Sequence, residues 1–288
     1  MDIMTASITP AHQQAPSKQI EIEGSLMNIF DFGAGPPVLL AHSFLWSAEM
    51  WRPQIDVLAR RYRLIVPEMW GHGASGALPS GTLTMRDLAR QHLTILDRLG
   101  IERIALVGLS LGGMWGAELA LMAHKRISAL VLMDTSLAAE PAPARGQYLE
   151  LFRTIEELAC LPDSMRQIVV PLFFAPDVAS RRPDLPSLLD GALREWNAQR
   201  LVDSVVPLGR IIFDRRDALD DAGKLRLPSL VMTGASDIAQ PMERGRQIAE
   251  RLACTFVEVP NAGHIANLEA PDFVTAAIEA FFAEHWPS

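Results

Sequence analysis

The segment RIALVGLSLGGMWGAELALMAHK (103–125) decides how this chain folds. Its first six residues, RIALVG (103–108), form an apolar, β-branched run that predicts a buried strand. Its last fifteen, LGGMWGAELALMAHK (111–125), predict a helix. Between them GLSLG (108–112) fits G-x-S-x-G, a turn that strains the serine backbone and uses flanking glycines to let other chain pass close by. Ser110 is thereby expected at the carboxyl end of a sheet, at the positive end of a helix. A packed turn with Ser110 as a simple cap is the bland alternative.

The same rhythm runs outward in both directions. QIEIE (19–23) and MNIFDF (27–32) flank a hairpin signal at Glu23-Gly24-Ser25. PVLLAH (37–42), YRLIVP (62–67), SALVLMD (128–134), LPSLVMTG (227–234) and CTFVEVP (254–260) predict further strands. Helices are predicted over 47–61, 84–100 and 270–286, with Ser47 as a cap and Gly100 as a stop. Strands with little alternation belong to a parallel sheet covered on both faces, and strand–helix alternation makes the fold α/β. The rhythm breaks after Asp134. Residues 136–222 are proline-interrupted and rich in Phe and Arg, with helical patches and no convincing strand. The expected organisation is a leader (1–18), a core domain (19–135 and 223–288) and a helical lid (136–222).

Composition narrows the function. With 288 residues and 49% hydrophobic content the chain can bury a sizeable core. A net charge of −8 disfavours nucleic acid and anionic membrane surfaces as partners. The opening MDIMTASITPAHQQAPSKQ has no basic-then-apolar pattern of a secretory signal, and no uncharged apolar stretch reaches membrane-spanning length. Two cysteines, Cys160 and Cys254, are far apart in sequence and are expected as free, buried thiols in a reducing cytoplasm.

A serine nucleophile needs a base, and the base an orienting acid. His264, in PNAGHIANLEAP between the last strand and the last helix, is the histidine downstream of Ser110 that stands in such a loop. Asp237, in GASDIAQP after strand 227–234, is the favoured acid; Asp134, ending the preceding strand, is its competitor. An oxyanion needs two backbone donors, expected from the N–H groups of Leu111 and Phe44. His42 is expected to shape the Phe44 loop rather than transfer protons.

With these residues in place the chain resembles the α/β-hydrolase superfamily, in the lidded branch that includes 3-oxoadipate enol-lactonases and many small carboxylesterases. The resemblance covers nearly all of residues 20–286 and rests on GLSLGG, GASDIAQP, AGHIANLEAP and VPEMWGHGASG (66–76). It implies a mostly parallel eight-stranded sheet with helices on both faces, a helical lid inserted after strand 6, a Ser110–His264–Asp237 triad, and no cofactor or metal. Two departures stand out: His42-Ser43 where relatives usually carry His-Gly, and Glu68 where they often carry Asp. GHGASG also matches G-x-G-x-x-G, but no helix pattern begins until about Thr84, so no helix end directly receives a pyrophosphate.

Pocket residues are expected at Ser43, Trp46, Trp70, Phe173 and Phe174, which suggest an apolar acyl or aryl group. Arg181, Arg182, Arg194, Arg200 and Arg210 are candidates to meet a substrate carboxylate. The expected activity is hydrolysis of small carboxylic esters or lactones through an acyl-enzyme. Enol-lactone hydrolysis, carbon–carbon bond hydrolysis, acyl transfer and perhydrolysis use the same triad and stay open. A non-catalytic small-ligand receptor is the alternative from another class.

Overall fold

The computed structural model describes residues 17–287. The expected leader therefore lies outside the described residues except for Ser17 and Lys18, which already belong to the first strand. Eight strands form one sheet: β1 (Ser17–Ile22), β2 (Ser25–Phe32), β3 (Pro37–Ala41), β4 (Arg63–Pro67), β5 (Ile104–Leu109), β6 (Ile127–Met133), β7 (Ser229–Gly234) and β8 (Thr255–Val259). Their order is β1-β2-β4-β3-β5-β6-β7-β8. β2 is antiparallel to both β1 and β4, and all other neighbours are parallel.

β5, β6 and β7 are buried at every position, which is why their sequences run apolar without alternation. Successive side chains still enter two separate cores. Val38, Leu40, Val107, Leu109 and Val131 pack with helix α1 (Arg52–Leu58) and the final helix Pro271–His285. Leu39, Ala41, Leu106, Leu130 and Val231 pack on the other face with α2 (Met85–Arg98), α3 (Leu111–Met122) and the helix Met242–Leu252. α2 starts at a reciprocal cap: Thr84 accepts from the Asp87 amide while the Asp87 carboxylate accepts from the Thr84 amide.

Between β6 and β7 the chain is helical, from α4 (Ala142–Leu158) through Asp184–Arg194 to Val206–Phe213. Among the described residues this stretch contains no strand. Cys160, just past the end of α4, is exposed, against the expectation of burial; Cys254 is partly buried, and neither is in a disulfide. No helix among the described residues is long and apolar enough to cross a membrane.

Candidate active site

All the candidate groups come from the carboxyl edge of the sheet. Ser110 joins β5 directly to α3 with φ 54° and ψ −115°, a conformation disfavoured for a residue with a side chain. The strain is held on both sides. The Ser110 amide donates to the Met133 carbonyl at 2.9 Å, and the Ser110 carbonyl accepts from the Thr135 hydroxyl at 2.7 Å. The two motif glycines are required by contact: a Cβ on Gly108 would lie 2.5 Å from the Gly112 oxygen, and one on Gly112 would collide with the Ala41 oxygen.

Asp237 lies just beyond β7. Its Oδ1 accepts from the amides of Ala239 at 2.9 Å and Gln240 at 2.8 Å, which fixes the carboxylate. Oδ2 is left for His264 Nδ1, 2.9 Å away. With Nδ1 donating to the carboxylate, Nε2 of His264 is the free acceptor. Asp134, the competing acid, does not meet the histidine. Its Oδ1 accepts from the Gly234 amide at 2.7 Å. Burial, helped by the Asp237 charge, pushes its carboxyl well above the usual range.

The His264 loop is bolted to the helical stretch above it. The Ile265 amide donates to the Phe173 carbonyl at 3.1 Å, and the buried Glu269 carboxylate accepts from the amides of Gly263 at 2.8 Å and Ala175 at 3.2 Å. The Phe173 ring meets the His264 ring edge-on at 5.6 Å. Sequence reasoning did not single out Glu269; its place in ANLEAP, directly after the histidine loop, was the available signal.

On the opposite side two fully buried histidines clamp the Phe44 loop to the loop after β4. His42 Nδ1 donates to the Ser43 carbonyl at 2.7 Å while Nε2 accepts from the Met69 amide at 2.8 Å. His72 does the same with the Trp70 carbonyl at 2.8 Å and the Leu45 amide at 3.1 Å. Burial pushes their pKa values down to about 4 and about 3, so both are neutral at pH 7. The amide of Ser43 is taken by Met50 Sδ and that of Leu45 by His72. Between them the Phe44 amide has no partner among the described residues. The Leu111 amide opens α3 and has no acceptor one turn back.

Ser110 and His264 border one cavity of about 430 Å³. The Ser110 hydroxyl has no hydrogen-bond partner among the described residues. The wall also includes Phe44, Leu151, Phe152, Phe173 and Phe213. Of the expected pocket residues, Phe173 is therefore in place and four are not. Ser43 is fully buried and outside the wall, so its side chain neither narrows the cavity nor adds a donor to it. Trp70 is also fully buried, because its indole N–H reaches back to Gln91 of α2 at 2.8 Å. Trp46 packs edge-on against Phe173 and Phe174 in a second layer, and Phe174 is buried behind that contact. None of the five candidate arginines lines the cavity. Among the described residues no three His, Cys, Asp or Glu side chains are grouped to hold a metal ion.

Comparison with known proteins agrees with this architecture. The family described as the alpha/beta hydrolase fold matches residues 36–271. The chain is 26% identical over 256 residues to 3-oxoadipate enol-lactonase 2 of Acinetobacter baylyi, covering 88% of this chain and 92% of that protein. Among solved structures it is similar to a thermophilic esterase from Thermogutta terrifontis, with a TM-score of 0.84, 26% identity and coverage of 94% and 99% of the two chains. It is also similar to the enol-lactonase from Burkholderia xenovorans, with a TM-score of 0.81, 26% identity and coverage of 93% and 100%. A serine on a strained strand-to-helix turn, a histidine held by an aspartate across the same sheet edge, and a family match over most of the chain lead to one assignment: this chain belongs to the α/β-hydrolase family and resembles its esterase and enol-lactonase members.

Proposed function

We propose that the chain is a serine hydrolase of small, uncomplicated carboxylic esters or lactones with an apolar acyl or aryl group, working through an acyl-enzyme. The observation that carries this is the 2.9 Å bond from His264 Nδ1 to Asp237 at the cavity that Ser110 also borders. In the mechanism, Ser110 Oγ attacks the substrate carbonyl carbon as His264 Nε2 takes the hydroxyl proton. The hydroxyl–imidazole hydrogen bond, absent from the empty site, forms as substrate fills the cavity. Asp237 holds the imidazole in the required tautomer and stabilises its cation. The negative oxygen is received by the amides of Phe44 and Leu111, which the surrounding hydrogen bonds leave free. Collapse expels the alcohol, protonated by His264. A water then gives its proton to His264 and attacks the acyl-enzyme, and collapse releases the acid as His264 returns that proton to Ser110 Oγ.

The helical residues 136–222 act as a lid: α4 and the helix Val206–Phe213 supply cavity wall over Ser110. The protein works in the cytoplasm, a reading that its two free thiols support. Replacing Ser110 with Ala is expected to lower p-nitrophenyl ester turnover by about 10³-fold or more while leaving the folded protein intact. Unchanged turnover in a clean preparation removes Ser110 from the mechanism.

A further inference from the structure

We infer that the cavity accepts acyl groups that are uncharged along their whole length and rejects esters or lactones whose acyl part carries a carboxylate; this rests on the serine-hydrolase reading above. No Asp, Glu, Lys or Arg side chain lines the cavity. α4 contributes Leu151, Phe152 and Ile155, and the helix Val206–Phe213 contributes Ile212 and Phe213. Besides Ser110 and His264, the polar wall groups are Gln147, Tyr148, Trp196 and Gln240, which can meet a ketone or hydroxyl but cannot neutralise an anion.

The cations that could have served are committed elsewhere. Arg181 is paired with Asp177 and Glu269, Arg182 with Asp184, Arg194 with Asp190, and Arg210 with Glu156. Arg200 donates to the Gly73 carbonyl, outside the cavity. Arg215 and Arg244 share the Glu140 carboxylate, and Arg244 also donates to Gln240 Oε1, which places it behind a wall residue. A substrate carboxylate held among these side chains would thus meet no cationic partner. Burial of an unpaired charge is strongly unfavourable.

Size limits the substrate but does not select its charge. At ~30 Å³ for each water-sized group, about 430 Å³ holds about fourteen such groups, enough for a medium apolar acyl chain and a small leaving alcohol. The relatives called 3-oxoadipate enol-lactonases are named for a six-carbon dicarboxylate, and closing one carboxyl into a lactone leaves the other free. That free carboxylate has no counter-ion in this wall. Kinship to those enzymes therefore extends to the machinery and stops at the acyl end of the substrate.

The test uses three p-nitrophenyl esters of similar length on the full chain: the heptanoate, the mono-adipate with its free carboxylate, and the same adipate capped as its methyl ester. The inference predicts that kcat/KM for the free carboxylate falls about 100-fold or more below that of the methyl-capped ester. It also predicts that the capped ester and the heptanoate agree within about tenfold. Free and capped adipate esters within about threefold of each other overturn it. A second arm places a cation in the wall at a half-buried position: Leu151→Arg is expected to raise the free-to-capped ratio at least about tenfold, and an unchanged ratio in the folded variant counts against the inference. Ser110→Ala separates the two levels. If it still hydrolyses the heptanoate, the serine mechanism itself fails; if it is inactive and the wild-type ratio is near one, only the charge inference fails.

Discussion

On one side of Ser110 the loops are held by imidazoles, and on the other by carboxylates. His42 and His72 each donate to one backbone carbonyl and accept from one backbone amide, so a neutral ring satisfies a loop at both ends. Across the cavity Asp237 and Glu269 gather backbone amides, and Asp237 keeps one oxygen for His264. The contrast shows that residue type alone does not set a role. A histidine surrounded by backbone and buried is a neutral clamp; a histidine whose Nδ1 donates to a fixed carboxylate keeps its Nε2 as a free acceptor. The clamps position the free Phe44 amide, and the carboxylates position the imidazole.

The largest expected effect falls on the carboxylate side. Asp237→Asn keeps the shape of the acid but removes the charge that stabilises the imidazolium, and kcat should fall about 10³–10⁴-fold. Asp134→Asn, which can still accept from the Gly234 amide, should leave kcat within about tenfold, because Asp134 is not bonded to His264. Steady-state kinetics on both variants decide it, and equal losses would end the distinction between the two acids.

The two sides should also answer acid in opposite directions. His42 has a folded pKa of about 4, below the ~6.5 of an unfolded histidine, so the folded state holds fewer protons. Its contribution is full above pH 6.5 and is lost as pH falls toward 4, by about 3 kcal/mol. His72 adds a loss of the same sign reaching down to about pH 3. Asp134 and Glu269 have carboxyl pKa values raised by burial, so their contribution is present at low pH and fades as pH rises through those values. Urea unfolding of the wild type and of His42→Asn, followed from pH 7 to pH 4, separates the histidine contribution from the opposing carboxyl one. His42→Asn should be less stable at pH 7 by about 1–3 kcal/mol and lose less on acidification. An equal loss in the wild type and in His42→Asn over this interval would contradict neutral clamps.

The smallest effect is expected at Ser43. Its side chain is buried away from the cavity, so Ser43→Gly should change kcat/KM by no more than about threefold and lower stability by about 0.5–1 kcal/mol through backbone freedom. A tenfold change in kcat/KM would give the Ser43 hydroxyl a part in the site.

The sheet was legible because β5, β6 and β7 are buried on both faces and leave unbroken apolar runs. Ser110 and Asp237 were legible for a related reason, since each follows such a run; His264 stands in the loop after the half-exposed edge strand β8, and the sheet brings the ends of these parallel strands to one edge. The helix Met242–Leu252 was missed between two strong strand signals, although Gly245, Ile248 and Ala249 mark its buried face. The pocket was the least legible part. Trp46 and Trp70 stand in loops at that edge, but a loop position does not say which way a ring turns. Trp70 follows its hydrogen bond to Gln91, and Trp46 follows the rings of Phe173 and Phe174. The wall comes largely from helices between β6 and β7, whose seating depends on contacts distant in sequence, such as Glu269 with Ala175.

The central claim is that Ser110 is activated by His264 under the hold of Asp237, and covalent labelling tests it most directly. The folded protein, treated with a fluorophosphonate and measured by intact and peptide mass spectrometry, should gain one adduct on the peptide carrying Ser110. The rate of gain should fall about 10³-fold in Asp237→Asn, in step with kcat. Labelling at another residue, or labelling of Ser110 at an undiminished rate in folded Asp237→Asn, would contradict the account.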